Sequence, residues 1–416
     1  MIKKKKIKVA VLVDLFLKKS AGGHVKYWQR ISESLSLLVT DCHLTIFFLG
    51  LKNEKKIIND NVNFITLKPV LSSKILKPIG IDADATDLSP INLRLFFVLK
   101  KFHIIHTTDQ FFCMSRTAKL VAKIFNIPIT TSIHTDTPPY TRYYVEKVLK
   151  KISIFKLNNF LIETLKLPKL FEKKMLRKLY NHVKFSKAAM VADQIYSPKN
   201  LINETKNKNI TKLNRGINNK IFNSKKIKQN IFKKYNIPSE DKVIFFSGRI
   251  HELKGAVLLA SIHKSLVNKG IKLTTLMAGE NIHGDSCRAI APKKLKLLGY
   301  LNQIELAELY KGCDLFVFPS NFEIGPNVVL EAKACCAACV VSPNGGGKRI
   351  YYPGNDGIII NNWNLKLWAD TIEELLTDNT KIKKIKKFLE INNKVDSWRE
   401  IFTKEIQPHW ISVAKK

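Results

Sequence analysis

No apolar run in this 416-residue sequence reaches the ~18 residues of a membrane span. The strongest runs, 9–13 and 95–99, are strand-sized. A basic stretch at 3–6 precedes the first of them, but Asp14 interrupts it and no small-residue cleavage site follows, so a secretory signal peptide is not expected. Cysteine is scarce and irregular: seven residues without regular spacing point to reduced thiols in a cytoplasmic protein. Cys335, Cys336 and Cys339 sit together, yet no further ligands stand at suitable spacing, so they are expected to pack in a core and no metal site is expected. Zinc-finger spacing and RNA-recognition signatures are missing, and the basic residues are dispersed, which argues against nucleic acid. Acid is also in short supply. With 34 Asp and Glu against 70 Lys and Arg the net charge is +36, which leaves an anionic lipid surface or phosphorylated substrates as partners.

What is there is a long globular chain, 45% hydrophobic, enough for two domains of roughly 200 residues each. Short apolar runs at 8–14, 44–50, 62–67, 103–107, 127–134 and 188–192 alternate with amphipathic stretches such as 27–38 and 115–125. Strand–helix alternation implies parallel sheet with right-handed crossovers. The polar, Lys- and Asn-rich segment 197–209 reads as a linker or exposed loop. A second series follows at 243–248, 273–278, 295–299, 315–319, 339–342 and 357–360. The expected fold class is therefore α/β, with two Rossmann-like doubly wound domains facing each other across a cleft at the strand C-terminal ends. The expected divisions are 1–200 for the first domain, 201–390 for the second, and 391–416 for a helical segment packing back toward the first.

The segment Phe322-Glu323-Ile324-Gly325-Pro326-Asn327-Val328-Val329-Leu330-Glu331 carries two carboxylates eight positions apart. The first lies on a Gly/Pro loop and the second inside an apolar helix start that Asn327 can cap. A helix N-terminus between two acids offers amides for phosphate beside carboxylates for hydroxyls, which suits a sugar nucleotide. Taken alone, the segment is equally a capping Glu and a surface Glu. Arg249 and Lys254 in Gly248-Arg249-Ile250-His251-Glu252-Leu253-Lys254-Gly255 bring two cations to the mouth of the second sheet, where charge-assisted bonds hold diphosphate, or are two surface cations of a Lys-rich chain. Gly22 and Gly23 follow the first strand and allow close ligand approach or form a plain turn; they do not make the G-x-G-x-x-G dinucleotide fingerprint. His134 ends a strand where such sheets do their chemistry, or is a packed core histidine. His103, His106 and His283 read as structural.

Together and in this order, these pieces resemble the family 4 retaining glycosyltransferases of GT-B fold over nearly the whole chain. The resemblance includes Asn214-Arg215-Gly216-Ile217-Asn218 with Phe222, and the glycines Gly345, Gly346 and Gly347. It implies that Arg249 and Lys254 bind the donor diphosphate, Glu323 contacts donor-sugar hydroxyls and Glu331 holds the ribose. Backbone amides around Asn327 and Val328 meet sugar or phosphate. Gly22 and Gly23 approach the phosphate from the other domain, and His134 lies near sugar and acceptor. It further implies hexosyl transfer from a nucleotide-sugar substrate with retained configuration, no tightly bound cofactor and no required metal. Two departures stand out: Gly325-Pro326 replaces the Phe-Gly of many members, and Cys336-Ala337-Ala338 replaces a Gly-x-Pro behind the nucleotide.

The acceptor is read from surface chemistry. In 168–183, Phe171, Met175, Leu179 and Val183 recur every four residues while Lys169, Lys173, Lys174, Arg177 and Lys178 cover other faces. Such a helix lies on anionic lipid or packs its stripe on the first sheet. Tyr140, Tyr143 and Tyr144 add interfacial aromatics. With the net charge, this favours an enzyme peripheral on the inner face of the membrane, acting on a lipid-linked or envelope acceptor. The competing readings are a soluble glycosyltransferase for a small sugar or sugar phosphate, a sugar-nucleotide epimerase of the same fold, and an inactive basic binding protein.

Overall fold

A computed structural model describes residues 6–414 apart from 19–20, 37, 39, 80–84, 153–157, 193–196, 226–230, 322, 324 and 393. Two units emerge: Met1–Asn214 with Trp398–Lys416, and Arg215–Ser397.

Among the described residues the first unit holds eight strands: β1 (Ile7–Phe16), β2 (Cys42–Leu49), β3 (Glu54–Asn59), β4 (Val62–Leu67), β5 (Ile104–Thr107), β6 (Ile129–Ile133), β7 (Ala188–Val191) and β8 (Ile210–Lys212). Their order is β3-β4-β2-β1-β5-β6-β7-β8, parallel except for the β3–β4 hairpin. Interior strands such as β1 and β2 are almost wholly buried, as a sheet covered on both faces requires. β3, in contrast, is charged and exposed at the edge, with none of the apolar signal of a buried strand.

The second unit contains β9 (Lys242–Ser247), β10 (Leu273–Ala278), β11 (Leu295–Gly299), β12 (Leu315–Phe318), β13 (Ala338–Val341) and β14 (Ile358–Ile359), all parallel in the order β11-β10-β9-β12-β13-β14. Both sheets are thus doubly wound and Rossmann-like. Strand order reverses between β1 and β5 in one and between β9 and β12 in the other, and ligands of such sheets gather at those switch points.

Several local expectations are corrected. The segment read as a linker contains a helix, Pro198–Thr205, capped by Ser197 and followed by β8 at the sheet edge. Asn207 ties it down, donating to the carbonyls of Val183 and Ser186 at 2.9 and 2.8 Å. Local polarity concealed it because these partners lie far back in the chain. The basic helix Leu167–Phe185 divides its stripe: Leu179 and Val183 are buried in a core with Ile133 and Val191 and Met175 packs against it, whereas Phe171 is exposed.

The C-terminal stretch forms Trp398–Ile401, a π turn at Phe402–Ile406, and the helix Gln407–Ala414. It belongs to the first unit, where Trp398, Phe402 and Trp410 join Trp28 and Tyr27 in one core. A buried tryptophan removes roughly 200 Å² from water, about 5 kcal/mol before entropy is charged against it. Glu405 adds two polar links, accepting from the Asn214 backbone N–H at 2.9 Å and from its side-chain amide at 2.7 Å.

Candidate functional site

In the second unit the chain leaves β9 through Gly248, runs past the exposed Arg249, and forms one turn at Glu252–Lys254 before the helix Ala256–Asn268. Gly255 makes this passage possible. Its φ is +76°, and a Cβ there would collide with the carbonyl of Pro319, which follows β12. The loops after β9 and β12 are therefore pressed together at the switch point. Asn321 N–H donates to Leu253 O at 3.0 Å, and Ser320 Oγ donates to the same carbonyl at 3.3 Å. This closeness puts Lys254 Nζ 2.5 Å from Glu323 Oε1, with both side chains 17% exposed.

The second carboxylate is held differently. Glu331 lies in the helix Asn327–Ala334 and accepts from the Tyr310 hydroxyl at 3.5 Å. Burial, then the Glu331 charge, keeps the Tyr310 phenol well above its ordinary pKa. Asn327 does not cap its helix, because Pro326 occupies the N-cap and Asn327 is the first helical residue. Its amide instead donates to Gly216 O at 3.0 Å, tying Gly216 to this helix start. Its Oδ1 is buried without a hydrogen-bond partner among the described residues. Val328 follows it, half-buried, in the first turn, where backbone amides are not satisfied within the helix.

Two arginines were absent from the expected set. Gly325 has φ +85°, and a Cβ there would lie 2.6 Å from Arg349 Nη2 and 3.6 Å from Arg215 Nε. The loop between the two glutamates therefore runs against two guanidinium groups, and Arg349 is itself buried. Arg215 was visible as part of the Asn-Arg-Gly element. Arg349 follows the glycine-rich loop with no local pattern to mark it. Behind the helix, Lys333 is 2.7 Å from Asp356, and each side chain is only 3% exposed. That pair braces the segment from Arg349 to Asp356, with Lys333 also donating to Arg349 O at 2.6 Å. Cys336 stands in the left-handed region with φ +58°, where glycine would be favoured. Cys335 and Cys339 are buried in the surrounding core, and burial pushes the Cys335 thiol up to about 12.

In the first unit Gly22 is the N-cap of the helix Gly23–Ser34, so Gly23 already belongs to the helix expected to start at Tyr27. Gly22 has φ −68° and extended ψ, so its use is to leave room rather than to supply a left-handed turn. His134, 5% exposed, lies just past β6. Its ring stacks on His24 of that helix, centroids 4.4 Å apart and planes 8° apart, and meets Tyr27 and Trp28 edge-on. Sequence reasoning missed His24, while His106, expected to be structural, is buried and hydrogen-bonds to Thr130 and Ser132. The signal was the alternation Thr130, Ser132, His134 in a strand otherwise read as plainly buried.

Two carboxylates complete this mouth. Asp14, in β1, accepts from the Asp87 N–H at 3.2 Å and the Met114 N–H at 2.9 Å. Burial, then the neighbouring Asp109, raises its pKa well above the usual carboxylate range. Asp109, just beyond β5, is likewise raised by burial, offset in part by the N–H groups of Phe112 and Phe111 and the Ser115 hydroxyl.

The expected residues thus fall into two sets: Gly22, Gly23 and His134 in the first unit, and Arg249, Lys254, Glu323, Asn327, Val328 and Glu331 in the second. The first set follows β1 and β6, the latter one strand beyond the switch point, and the second follows β9 and β12, which flank the switch point of their sheet. Among the described residues no group of three or more His, Cys, Asp and Glu is arranged to hold a metal ion, and no helix is long and apolar enough to cross a membrane.

Residues 227–392 match the family model of glycosyl transferases group 1. Over 183 residues the chain is 26% identical to a D-inositol 3-phosphate glycosyltransferase of Thermobispora bispora, covering 41% of this chain and 42% of that protein. Over 155 residues it is 31% identical to the N,N'-diacetylbacillosaminyl-diphospho-undecaprenol alpha-1,3-N-acetylgalactosaminyltransferase of Campylobacter jejuni, covering 34% and 41%. The chain thus spans about two fifths of the length of these curated relatives. Among solved structures, sucrose-phosphate synthase from Thermosynechococcus elongatus aligns with TM-score 0.71 at 15% identity, covering 99% of this chain and 100% of that one. HepE from Anabaena, solved in complex with UDP-glucose, aligns with TM-score 0.67 at 13% identity, covering 98% and 99%. The fold is that of the GT-B glycosyltransferases.

Proposed function

We propose that the chain is a family 4 glycosyltransferase that moves a hexose from a nucleotide-sugar donor to a hydroxyl acceptor with retained configuration. The observation that carries this reading is the contact of Lys254 with Glu323, 69 residues apart in sequence, at the switch point of the second sheet. A cation for phosphate and a carboxylate for sugar hydroxyls stand there side by side. In the free protein each satisfies the other. An arriving diphosphate carries more charge than one carboxylate, so it displaces Glu323 from Lys254 and leaves that carboxylate to accept hydroxyl hydrogens. Arg249 is the second diphosphate cation, Glu331 the ribose ligand, and the first-turn amides at Asn327 and Val328 meet sugar or phosphate.

Chemistry then follows from charge. The bond from the anomeric carbon to the β-phosphate oxygen breaks, and Lys254 and Arg249 stabilise the negative charge that appears there. The acceptor hydroxyl oxygen bonds to the same face of the sugar and gives its proton to the departing phosphate oxygen. No protein nucleophile and no metal takes part. His134, with Gly22 and Gly23, is assigned to the sugar and acceptor side.

The acceptor is proposed to be a lipid-linked or envelope glycan at the inner membrane face. Phe160, Leu165, Leu170 and Phe171 are exposed next to Lys169, Lys173 and Lys174, and the undecaprenol-linked substrate in the name of the Campylobacter relative lends support. The D-inositol 3-phosphate relatives favour the second reading, a small soluble acceptor. Transfer assays over UDP-, GDP- and ADP-sugars, UDP-glucose first, test the reaction. The anomeric configuration of the product, read by NMR, tests retention, and persistence of activity in a chelator tests metal independence. Flotation with anionic vesicles separates the acceptors: no binding to acidic lipid would leave the soluble reading.

A further inference from the structure

Thr130 and Ser132 share one face of β6, and His134 continues their alternation past its end. His106 of β5 is the register partner of Thr130. Its Nδ1 stands 2.8 Å from Thr130 Oγ1 and 3.4 Å from the indole Nε1 of Trp410. Its Nε2 is 2.9 Å from Ser132 Oγ, which in turn is 2.8 Å from His134 Nε2. His106, Ser132 and Trp410 are each 0% exposed, so this chain of links is shielded from bulk solvent.

The donor and acceptor inventory gives the chain one direction. An indole N–H only donates, so Nδ1 of His106 presents its lone pair to Trp410. Burial, then His409 and His24, pushes the His106 pKa down to about 3, and the ring is neutral. Its one ring proton is therefore on Nε2, which donates to Ser132 Oγ. Ser132 has a single hydroxyl hydrogen and, among the described residues, no acceptor for it other than His134 Nε2. A ring nitrogen that accepts carries no proton, so the proton of neutral His134 resides on Nδ1. The stacked neighbour is set by the same reasoning. Thr108 spends its hydroxyl hydrogen on Leu12 O at 2.8 Å, so at 2.7 Å it accepts from His24 Nε2–H.

We propose that Trp410, His106 and Ser132 are positioning residues that hold His134 as the Nδ1–H tautomer. The inference rests on the sugar-side role proposed above for His134. It deepens that role by making Nδ1 a hydrogen-bond donor, matched to a hydroxyl or phosphate oxygen and unable to take a proton from an attacking hydroxyl. The C-terminal helix thereby reaches a candidate site residue through two relays.

The test is two-bond 15N–1H correlation of the full chain labelled in histidine. Wild type should show His134 as one neutral tautomer with its proton on Nδ1. A proton on Nε2 would overturn the proposal. Ser132→Ala should give His134 mixed tautomers and Ser132→Thr should restore the single one, while His24 keeps its Nε2–H pattern as the sign of an intact fold. A single unchanged tautomer in Ser132→Ala would also overturn it. Trp410→Phe keeps a ring and loses the donor; an unchanged pattern there would remove Trp410 from the relay. Sugar transfer is measured separately. The expected tautomer without transfer keeps the relay and rejects the functional reading; transfer with the other tautomer does the reverse.

Discussion

The second unit builds its candidate site from glycines and charges, the first from rings and hydroxyls. In the second, Gly255 lets two loops touch and Lys254 meets Glu323 directly. In the first, His134 is reached through Ser132 and His106 from Trp410, 276 positions away in sequence (410 − 134). The difference is one of locality. The turn that carries Lys254, made of a strand end, a tight glycine and a helix start, is written in consecutive residues, and one further loop supplies Glu323. A ring held by a buried network draws each link from a different segment, so no short stretch announces it.

The sharpest way to break this contrast is at Gly255. Gly255→Ala adds a Cβ against the Pro319 backbone at a left-handed φ, and both faults have little room to relax. It should destabilise the second unit by about 4 kcal/mol or more. Denaturant unfolding checks this, and the first unit should be unaffected if the two behave as separate cores.

The next largest effect belongs to the first unit and is a matter of pH. The folded pKa of His106 is depressed to about 3, so the unfolded chain takes up a proton first as pH falls. Its contribution is complete above the unfolded value of about 6.5 and is lost at about 1.4 kcal/mol per pH unit down to about 3. Asp14 and Asp109, with raised carboxyls, work in the opposite sense, since folding favours their protonated forms. The comparison must therefore be of wild type with His106→Asn. That variant should flatten the acid limb by about 1.4 kcal/mol per unit between pH 6 and 4, read by urea unfolding at several pH values.

What was legible follows the same line. The interior parallel strands were readable because both faces are covered, so β1, β2, β9 and β10 are almost wholly buried runs. β3 was not, because an edge strand with Glu54, Lys55 and Lys56 exposed obeys solubility rather than burial. Motif order marked Lys254 and Glu323 as site residues, but their contact shows only in the folded loops. Arg349 was not marked, since only the folded loop brings it to Gly325. Asn327 was misread as a cap because a capping side chain and one donating to Gly216 O look alike until the backbone is placed.

Smaller effects sharpen the account. His134→Ala should slow transfer about tenfold, the worth of one hydrogen bond to the sugar or acceptor side, with KM for the nucleotide sugar little changed. Cys336→Gly relieves a left-handed residue and should stabilise the second unit by about 1 kcal/mol or less, seen as a small rise in Tm.

The central claim is that Lys254 serves a leaving diphosphate rather than merely neutralising Glu323. Sugar transfer by wild type and Lys254→Ala, over the panel of UDP-, GDP- and ADP-sugars, tests it most directly. Transfer from at least one donor is expected, with a loss of roughly 10²–10³-fold in the variant and circular dichroism unchanged. Transfer at the wild-type rate by Lys254→Ala would contradict it.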